Sequence, residues 1–281
     1  MQAYVEAVNE RINHLISHDF DTDLPSAMHY SMINGGKRIR PALLLSIVDA
    51  LGGDWEAFID MAVALEMVHT YSLIHDDLPA MDDDVMRRGK PTLHVAFSES
   101  TAILSGDALL TDAFSLIANM DALSESRRLY ALKILSEAAG SKGMVKGQML
   151  DLKYENTDTS VKTLNHIHAH KTGRLISAAM MMGACAAGED PTTFESIGIE
   201  LGLAFQIQDD ILEATTDETT MGKSFSDTKH NKSTYVSHYG IDGTKQALTN
   251  RFQSIREALK KVPINERKIE PLIHAIETRT Y

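Results

Sequence analysis

Two groups of carboxylates stand out in the sequence by their type and spacing. Five aspartates lie within the nine residues DDLPAMDDD at 76–84. In the second group, QDDILE, Asp209 and Glu213 are four residues apart, as are Gln206 and Asp210, so each pair shares one helical face. Carboxylates without accompanying cysteines or histidines are typical ligands of Mg²⁺. The two groups therefore predict Mg²⁺ binding, with a solvated acidic turn as the alternative for either group alone.

Cations are also grouped along the chain, several of them beside glycine or hydroxyl residues that suit phosphate contacts. They are Lys37, Arg38, Arg40, Arg87, Arg88, Lys171, Lys223 and Lys232. Each alone is compatible with an ordinary surface cation. Together with two carboxylate groups and Mg²⁺, they describe a site for diphosphates bridged by metal.

The overall charge excludes several other classes of partner. The 281 residues carry 27 lysines and arginines against 39 aspartates and glutamates, a net charge of −12. Such a surface repels nucleic acid and anionic membranes, so we expect neither as a partner. An anionic substrate needs local cations or metal ions to be held.

The elements that position these side chains are predicted to be helices. Apolar residues recur at three- and four-residue spacing, without a run of alternating strand pattern, which predicts an all-α protein of about ten helices. No linker or internal repeat interrupts the chain, so we expect one domain over residues 1–281. The segments 101–118 and 173–187 are small or apolar nearly all round, which predicts central helices buried on most sides.

The first carboxylate group follows the apolar helix predicted over 61–74, and Pro79 is expected to end or kink that helix. A helix C-terminus already carries partial negative charge, so carboxylates crowded there indicate a bound cation.

Composition gives the expected compartment. The single cysteine, Cys185, cannot form an internal disulfide, and the N-terminus lacks the pattern of a signal peptide. The longest strongly apolar stretch, Pro41 to Val48, is far shorter than the roughly 20 residues of a membrane span. These features predict a cytoplasmic protein without stable membrane insertion.

With these residues assembled, nearly the whole chain resembles the trans-polyprenyl diphosphate synthases, and within them the bacterial short-chain farnesyl and geranylgeranyl type. The resemblance rests on six ordered motifs. They are GGKRIRP at 35–41, EMVHTYSLIHDDLPAMDDDVMRRGKPTLH at 66–94, GDALLTDAF at 106–114, KTGRLI at 171–176, FQIQDDILE at 205–213 and GKSFSDTKHNKSTY at 222–235.

The resemblance implies the isoprenoid synthase fold, a helical bundle around a deep cavity, usually as a homodimer. It implies a prenyltransferase that joins isopentenyl diphosphate to an allylic diphosphate with three Mg²⁺ ions. The implied catalytic residues are Asp76, Asp77, Asp82, Lys171, Asp209 and Asp210, with Asp76, Asp77, Asp82 and Asp209 as metal ligands. The implied isopentenyl diphosphate site is Lys37, Arg40, His69 and Arg88, and the allylic site is Arg87, Lys171, Thr172, Gln206, Lys223 and Lys232. The departing diphosphate is the implied base, so neither His69 nor His75 is assigned that role.

The chain departs from the family pattern at two places. Glu213 stands where the second motif usually ends in aspartate, so its place among the metal ligands is open. The chain ends at Tyr281 without the more basic tail that many relatives fold over the site, which leaves open how the pocket closes.

Product length is predicted from the helix that precedes the first motif. On one helix, Tyr71 and Ser72 lie five and four residues before Asp76, about 6 to 7.5 Å deeper along the axis. In the family, an aromatic residue at the fifth position tends to stop the product at fifteen carbons. Tyr71 therefore favours farnesyl diphosphate, with geranylgeranyl diphosphate as the alternative and packing in the core as the purely structural interpretation.

Three other classes remain as alternatives. A terpene cyclase shares the fold and the first motif, but QDDILE and GGKRIRP do not fit it. A His-Asp phosphohydrolase is suggested by HTYSLIHDD, although His69 and His75 are only six residues apart. A regulatory subunit of the same family would have lost the aspartate motifs, and both are present here.

Overall fold

The computed structural model describes residues 1–16, 21–215 and 233–279. The predicted contacts Lys223 and Lys232 lie outside these ranges. The described residues form thirteen α-helices, more than the ten expected. They are α1 (Gln2–Leu15), α2 (Leu24–Ile33), α3 (Ile39–Ala50), α4 (Ile59–Asp76), α5 (Leu93–Ala96), α6 (Glu99–Ala118), α7 (Glu125–Ala139), α8 (Met144–Lys153), α9 (Val161–His168), α10 (Arg174–Ala187), α11 (Thr192–Thr215), α12 (Tyr235–Leu259) and α13 (Glu266–Glu277).

Short irregular elements join the helices. A 3₁₀ turn, Trp55–Phe58, precedes α4, and a π-helical turn, Ala169–Gly173, joins α9 to α10. The two-residue strands β1 (Met86–Arg87) and β2 (Lys90–Pro91) form an antiparallel hairpin. Its two turn residues, Arg88 and Gly89, have φ values of 53° and 75°, as a type I′ turn requires. Strands this short leave no alternating pattern in the sequence.

The all-α prediction is confirmed, and the core explains why these sequences form helices. One cluster of buried apolar side chains extends from Tyr4 in α1 to Ile276 in α13. α4 packs against α3 and α6, and α10 packs against α3, α7 and α11. α3 and α4 are apolar on most sides because neighbouring helices cover them.

The two helices predicted to be central differ from one another. α10 is buried along almost its whole length, as expected for 173–187. The expectation for 101–118 is wrong, because one face of α6 is exposed, including Ile103 (44% exposed) and Leu104 (59%). Small and apolar residues indicate a helix surface that can be buried, but they do not show whether this chain's own fold or another molecule buries it.

Two segments are long and apolar enough to span a membrane by length and composition: Trp55–Asp76 and Glu99–Ala118. The first is a core segment, 72% buried in the fold, and the second is 33% buried. Core helices of ordinary globular proteins pass the same test, so this finding is weak evidence for a span.

Candidate functional site

A cavity of about 800 Å³ lies where α4 and α11 end and α3 begins, with the hairpin, α8 and the π-helical turn completing its wall. Most of the predicted site residues line it. These are Lys37, Arg40, His69, Ser72, Asp76, Asp82, Arg87, Arg88, Lys171, Thr172, Gln206, Asp209, Asp210 and Glu213. Two predicted residues do not line it, Tyr71 and Asp77, although both are buried. The fold thus brings together residues that are far apart along the chain.

The first carboxylate group is set by the end of α4. The backbone N–H of Asp82 donates to the carbonyl oxygen of Asp76 at 2.9 Å, which folds the following loop back beside the helix end. The Asp76 side chain is buried, and Gln148 of α8 donates a short hydrogen bond to its Oδ1. Burial raises the pKa of Asp76 to about 6, with Lys171 opposing that shift. A buried carboxylate of this kind is stabilised by a bound cation.

Asp77 is held differently from its neighbour. Nε of Arg87 donates to both Asp77 oxygens, at 2.7 and 2.9 Å, and Nη2 of Arg87 lies 2.5 Å from Oδ1. Burial raises the pKa of Asp77, and the arginine opposes the shift. Because both oxygens face Arg87, this geometry favours a role in positioning Arg87 over the predicted role as a metal ligand.

The two aspartates of the second carboxylate group both line the cavity but have different partners. Asp209 lines the cavity with 39% of its side chain exposed and pairs with Arg279 at 2.7 Å. Asp210 is buried, and its Oδ2 accepts a 2.6 Å hydrogen bond from the backbone N–H of Tyr235, the first residue of α12. This contact ties α11 to α12. Glu213 lies one turn beyond Asp209 and also lines the cavity.

The donor set fits Mg²⁺. Asp76, Asp82 and Asp209 offer carboxylate oxygens to the cavity, the ligand type that hard divalent cations prefer. In the described part of the chain, no three Asp, Glu, His or Cys side chains lie close enough together to hold an ion by themselves. Mg²⁺ usually binds through one or two carboxylates and completes its shell with water and substrate phosphate. The arrangement suits that kind of site.

Lys171 and Thr172 reach the cavity from the π-helical turn. Nζ of Lys171 donates to Asp151 of α8 at 2.7 Å, and the Thr172 hydroxyl donates to Oε1 of Gln206 at 2.6 Å. Burial alone lowers the pKa of Lys171, but Asp151 and Asp76 outweigh it, so the net pKa is raised. A Cβ at Gly147 would lie 2.1 Å from the backbone nitrogen of Lys171, so only glycine allows α8 to pack this closely.

A basic pocket lies at the start of α3. Nη1 of Arg40 lies 3.2 Å from Nε2 of His69, and burial lowers the pKa of Arg40 to about 10, which leaves it protonated at neutral pH. Burial and the neighbouring Arg40 hold the pKa of His69 well below its ordinary value. A neutral His69 can therefore accept from Arg40 through Nε2. Beneath them, Arg38 forms a buried ion pair with Glu66 at 2.9 Å.

The hairpin brings Arg88 to the same pocket. Its Nη1 donates to the carbonyl oxygen of Gly35 at 2.8 Å. Gly36 has a φ of 103°, and a Cβ there would lie 2.4 Å from Nη1 of Arg88. The glycine pair before Lys37 thus allows the loop and the Arg88 guanidinium to approach closely.

Sequence reasoning missed four residues that take part in this site: Glu66, Gln148, Asp151 and Arg279. Gln148 and Asp151 are three residues apart in GQMLD, a helical spacing that places two polar side chains on one face. That spacing could have indicated that α8 contributes polar side chains to the site. No local pattern marks Arg279, which lies seventy positions from Asp209.

Comparisons with known proteins agree with this geometry. The polyprenyl synthetase family model matches residues 21–276. Farnesyl diphosphate synthase of Micrococcus luteus is 47% identical over 254 residues, covering 89% of this chain and 87% of that protein. Geranylgeranyl diphosphate synthase of Cyanophora paradoxa is 41% identical, covering 95% of this chain and 90% of that protein.

A solved structure has the same fold. The geranyltransferase of Helicobacter pylori, crystallised with magnesium and isoprenyl diphosphate, superposes with a TM-score of 0.89 at 34% sequence identity. The match covers 98% of this chain and 95% of that one. The expected isoprenoid synthase fold is thereby confirmed.

Proposed function

Because the chain belongs to the polyprenyl synthetase family, we propose that it is a Mg²⁺-dependent prenyltransferase that makes (2E,6E)-farnesyl diphosphate. It would condense isopentenyl diphosphate head to tail with dimethylallyl or geranyl diphosphate and release diphosphate. One observation carries the proposal: a single cavity combines two sets of carboxylates with two separate groups of cations. Similarity to a named farnesyl diphosphate synthase at 47% identity supports it.

The allylic diphosphate belongs at the carboxylate side of the cavity. Asp76, Asp82 and Asp209 would hold Mg²⁺, three ions by the family pattern, with Asp77 placing Arg87 beside them. Bound Mg²⁺ would supply positive charge to the diphosphate oxygens. Lys171, Arg87 and the Thr172–Gln206 pair would complete the contacts. Lys223 and Lys232 remain predicted contacts.

Isopentenyl diphosphate belongs in the basic pocket formed by Lys37, Arg40, His69 and Arg88. The cations of this pocket would bind its diphosphate with little competition from Glu66, which is already paired with Arg38. The neutral His69 would orient Arg40 and contact the diphosphate.

The reaction requires charge stabilisation, with no protein nucleophile. The C1–O bond of the allylic substrate breaks, and its electron pair leaves on the diphosphate. The double bond of isopentenyl diphosphate then supplies the electrons for a new bond to C1. This leaves positive charge at C3 of the isopentenyl unit. The departed diphosphate takes a proton from C2 of that unit, and the C–H electron pair forms the new double bond between C2 and C3. Lys171 and Arg87 stabilise the leaving group most strongly as its charge develops, which lowers the barrier.

Ser72 and Tyr71 are the proposed determinants of product length, and they lie differently. Ser72 lines the cavity one turn before Asp76 on α4, and Met144, one turn before Gln148 on α8, lines it as well. Tyr71 packs edge-on against His75, with ring centres 5.7 Å apart, and is only 7% exposed. Tyr71 would therefore limit length as part of the wall behind the lining.

We expect Tyr71→Ala to shift the product from fifteen to twenty or more carbons, because it removes a ring from the wall below the metal site. Ser72→Phe is expected to act in the opposite direction and favour the ten-carbon intermediate. Chromatography of the dephosphorylated alcohols measures both. Unchanged fifteen-carbon product from both variants would contradict this assignment and show that other residues determine product length.

The exposed face of α6 supports a homodimer. Ile103 and Leu104 of α6 and Leu129 of α7 (70% exposed) are large apolar side chains on the surface. A shallow groove between the two helices is lined by Phe114, Ala118, Leu129 and Leu132, together with two serines and Lys133. Exposed apolar surface of this kind is typical of subunit interfaces, and a second copy of the chain is the proposed occupant. We also propose a cytoplasmic location.

A dimer buried on this face should dissociate when charge is placed in it. We expect Leu104→Glu combined with Leu129→Glu to convert the dimer to monomer in light scattering after size exclusion, because two charges per subunit would be desolvated at the interface. Val85→Glu, at an exposed apolar position before the hairpin, is the control and should remain dimeric. If the double variant still forms dimers at the same protein concentration as the unchanged chain, this interface is refuted.

One assay tests the proposed function. The protein is mixed with isopentenyl diphosphate, each allylic primer and Mg²⁺, and products are identified. Farnesyl diphosphate supports the proposal, and geranylgeranyl diphosphate would support the alternative within the family. Cyclic hydrocarbons would indicate a terpene cyclase. In a parallel reaction with nucleotides in place of the prenyl substrates, released phosphate would indicate a phosphohydrolase. No product of any kind would agree with a regulatory subunit.

A further inference from the structure

Arg279 reaches the second carboxylate group from the C-terminal end of the described chain. Its Nη2 lies 2.7 Å from Oδ1 of Asp209 and donates a 2.6 Å hydrogen bond to the carbonyl oxygen of Phe205. The guanidinium also lies over the Phe205 ring, 3.7 Å from its centre. Gln208 donates to the Arg279 carbonyl oxygen at 3.0 Å. Both side chain and backbone of Arg279 are therefore held against α11.

Contacts of α13 fix where Arg279 can lie. Arg256 of α12 bonds Glu270 at 2.9 Å and Glu277 at 2.6 Å, one contact near each end of α13. Lys268 bonds Asp49 of α3 at 2.7 Å. Because α13 ends at Glu277, only one residue separates the anchored helix from Arg279. The position of the guanidinium follows from the packing of the helix.

This position conflicts with metal binding at the same carboxylate. Mg²⁺ requires ligand oxygens at about 2.0–2.1 Å in an octahedral shell. Arg279 already lies against Oδ1 of Asp209, and a divalent cation beside the same carboxylate would be repelled by the guanidinium. Either cation alone can neutralise the charge of Asp209, but the two cations repel one another when both are bound to it.

A second observation is that the Arg279 side chain has an unused hydrogen-bond donor. Only 8% of its side chain is exposed, yet its Nε has no hydrogen-bond partner within the described residues. Nε of Arg40, in the basic pocket of the same cavity, shares that property. Buried N–H groups are rarely left without an acceptor, because the loss costs free energy. For Arg279, an anion in the cavity would supply this acceptor once the guanidinium has moved away from Asp209.

We propose that Arg279 is the resident cation of Asp209 in the substrate-free protein and that Arg279 and a divalent metal exclude one another at this carboxylate. This inference rests on the function proposed above. Asp209 then binds its metal only when a diphosphate is in the cavity. The diphosphate oxygens bind both the displaced guanidinium and the metal. The chain thereby couples completion of its metal set to the presence of substrate.

Binding of Mn²⁺ to the substrate-free protein tests the exclusion directly, and electron paramagnetic resonance measures it without turnover. Mn²⁺ accepts the same oxygen ligands as Mg²⁺. We expect Arg279→Gln to bind Mn²⁺ roughly five-fold more tightly than the unchanged chain, the range of a partly exposed ion pair. Asp209→Asn should abolish that gain, so the double variant should bind as Asp209→Asn alone does.

Arg251→Gln is the matched control, because it removes one positive charge from a pair with Glu200 outside the cavity lining. Its Mn²⁺ affinity should equal that of the unchanged chain. Equal affinity in Arg279→Gln and the unchanged chain would overturn the proposal, as would an equal gain in the Asp209→Asn background. Circular dichroism establishes that each variant is folded. If the unchanged chain makes no prenyl product, the proposed function fails, whatever these affinities are.

Discussion

Replacing Asp76 by asparagine is expected to lower kcat by at least about 10³-fold, comparable with the loss of a group that stabilises developing charge. Asp76 is a buried carboxylate of the first group and lies beside Gln148 and Lys171 in the cavity. Asparagine keeps its shape and can still accept from Gln148, but it offers a divalent cation no negative charge. Product formation at saturating Mg²⁺ measures the effect.

The same substitution should stabilise the metal-free protein. Burial raises the pKa of Asp76 to about 6 from an ordinary value of 3.8. The folded state therefore binds more protons than the unfolded state between these values, and stability falls as pH rises through them. At pH 7 the buried charge costs on the order of 1–3 kcal/mol. Asp76→Asn removes that cost, so the melting temperature at pH 7 should rise and lose this pH dependence.

Two comparisons make this pair of effects specific. Asp209→Asn should also lower kcat strongly, but it should give no gain in stability, because Asp209 is 39% exposed and loses its pairing with Arg279. Asp242→Asn, at an exposed position of α12, should change neither quantity. Near-normal kcat in Asp76→Asn would remove this carboxylate from the metal site, whatever its melting temperature.

The sequence identified the residue types of the site more completely than their roles. Asp76 and Asp77 are adjacent and chemically identical, yet one faces the cavity and the other accepts two hydrogen bonds from Arg87. Spacing cannot separate them, because the direction of each side chain depends on how α4 ends and where the hairpin places Arg87. Asp209 and Asp210 both line the cavity, but they differ in their partners: Asp209 pairs with Arg279, and Asp210 accepts from the backbone at the start of α12.

The sequence predicts the parts of the fold that depend on a pattern within one segment. It does not predict contacts between residues that are far apart along the chain. Helical periodicity indicates α4, and small and apolar residues nearly all round indicate α10, because both patterns are contained within the segment itself. The exposure of Leu104 on α6 depends on what covers that helix, which the composition of 101–118 does not contain. Arg279 pairs with Asp209 through the packing of α13 on α3 and α11, and no motif in the sequence records that packing.

Lys171→Gln is expected to lower kcat by about 10²–10³-fold while changing the KM for isopentenyl diphosphate little. Lys171 faces Asp151 and Asp76 on the carboxylate side, whereas Arg40 and His69 form the separate basic pocket. Its ammonium can stabilise charge only on the diphosphate that leaves. Asp151→Asn should give a smaller loss in kcat, because it leaves the ammonium in place but frees it from its 2.7 Å partner.

Lys146→Gln supplies the control for the loss of charge, since Lys146 lies on the same helix as Asp151 and contacts His170 at 3.4 Å without lining the cavity. Its kinetics should match those of the unchanged chain. If Lys171→Gln raised the KM for isopentenyl diphosphate by as large a factor as it lowered kcat, Lys171 would contact isopentenyl diphosphate and not the leaving diphosphate. The division of labour between the two cation groups, on which the proposed mechanism depends, would then be incorrect, because one group would have to serve both diphosphates.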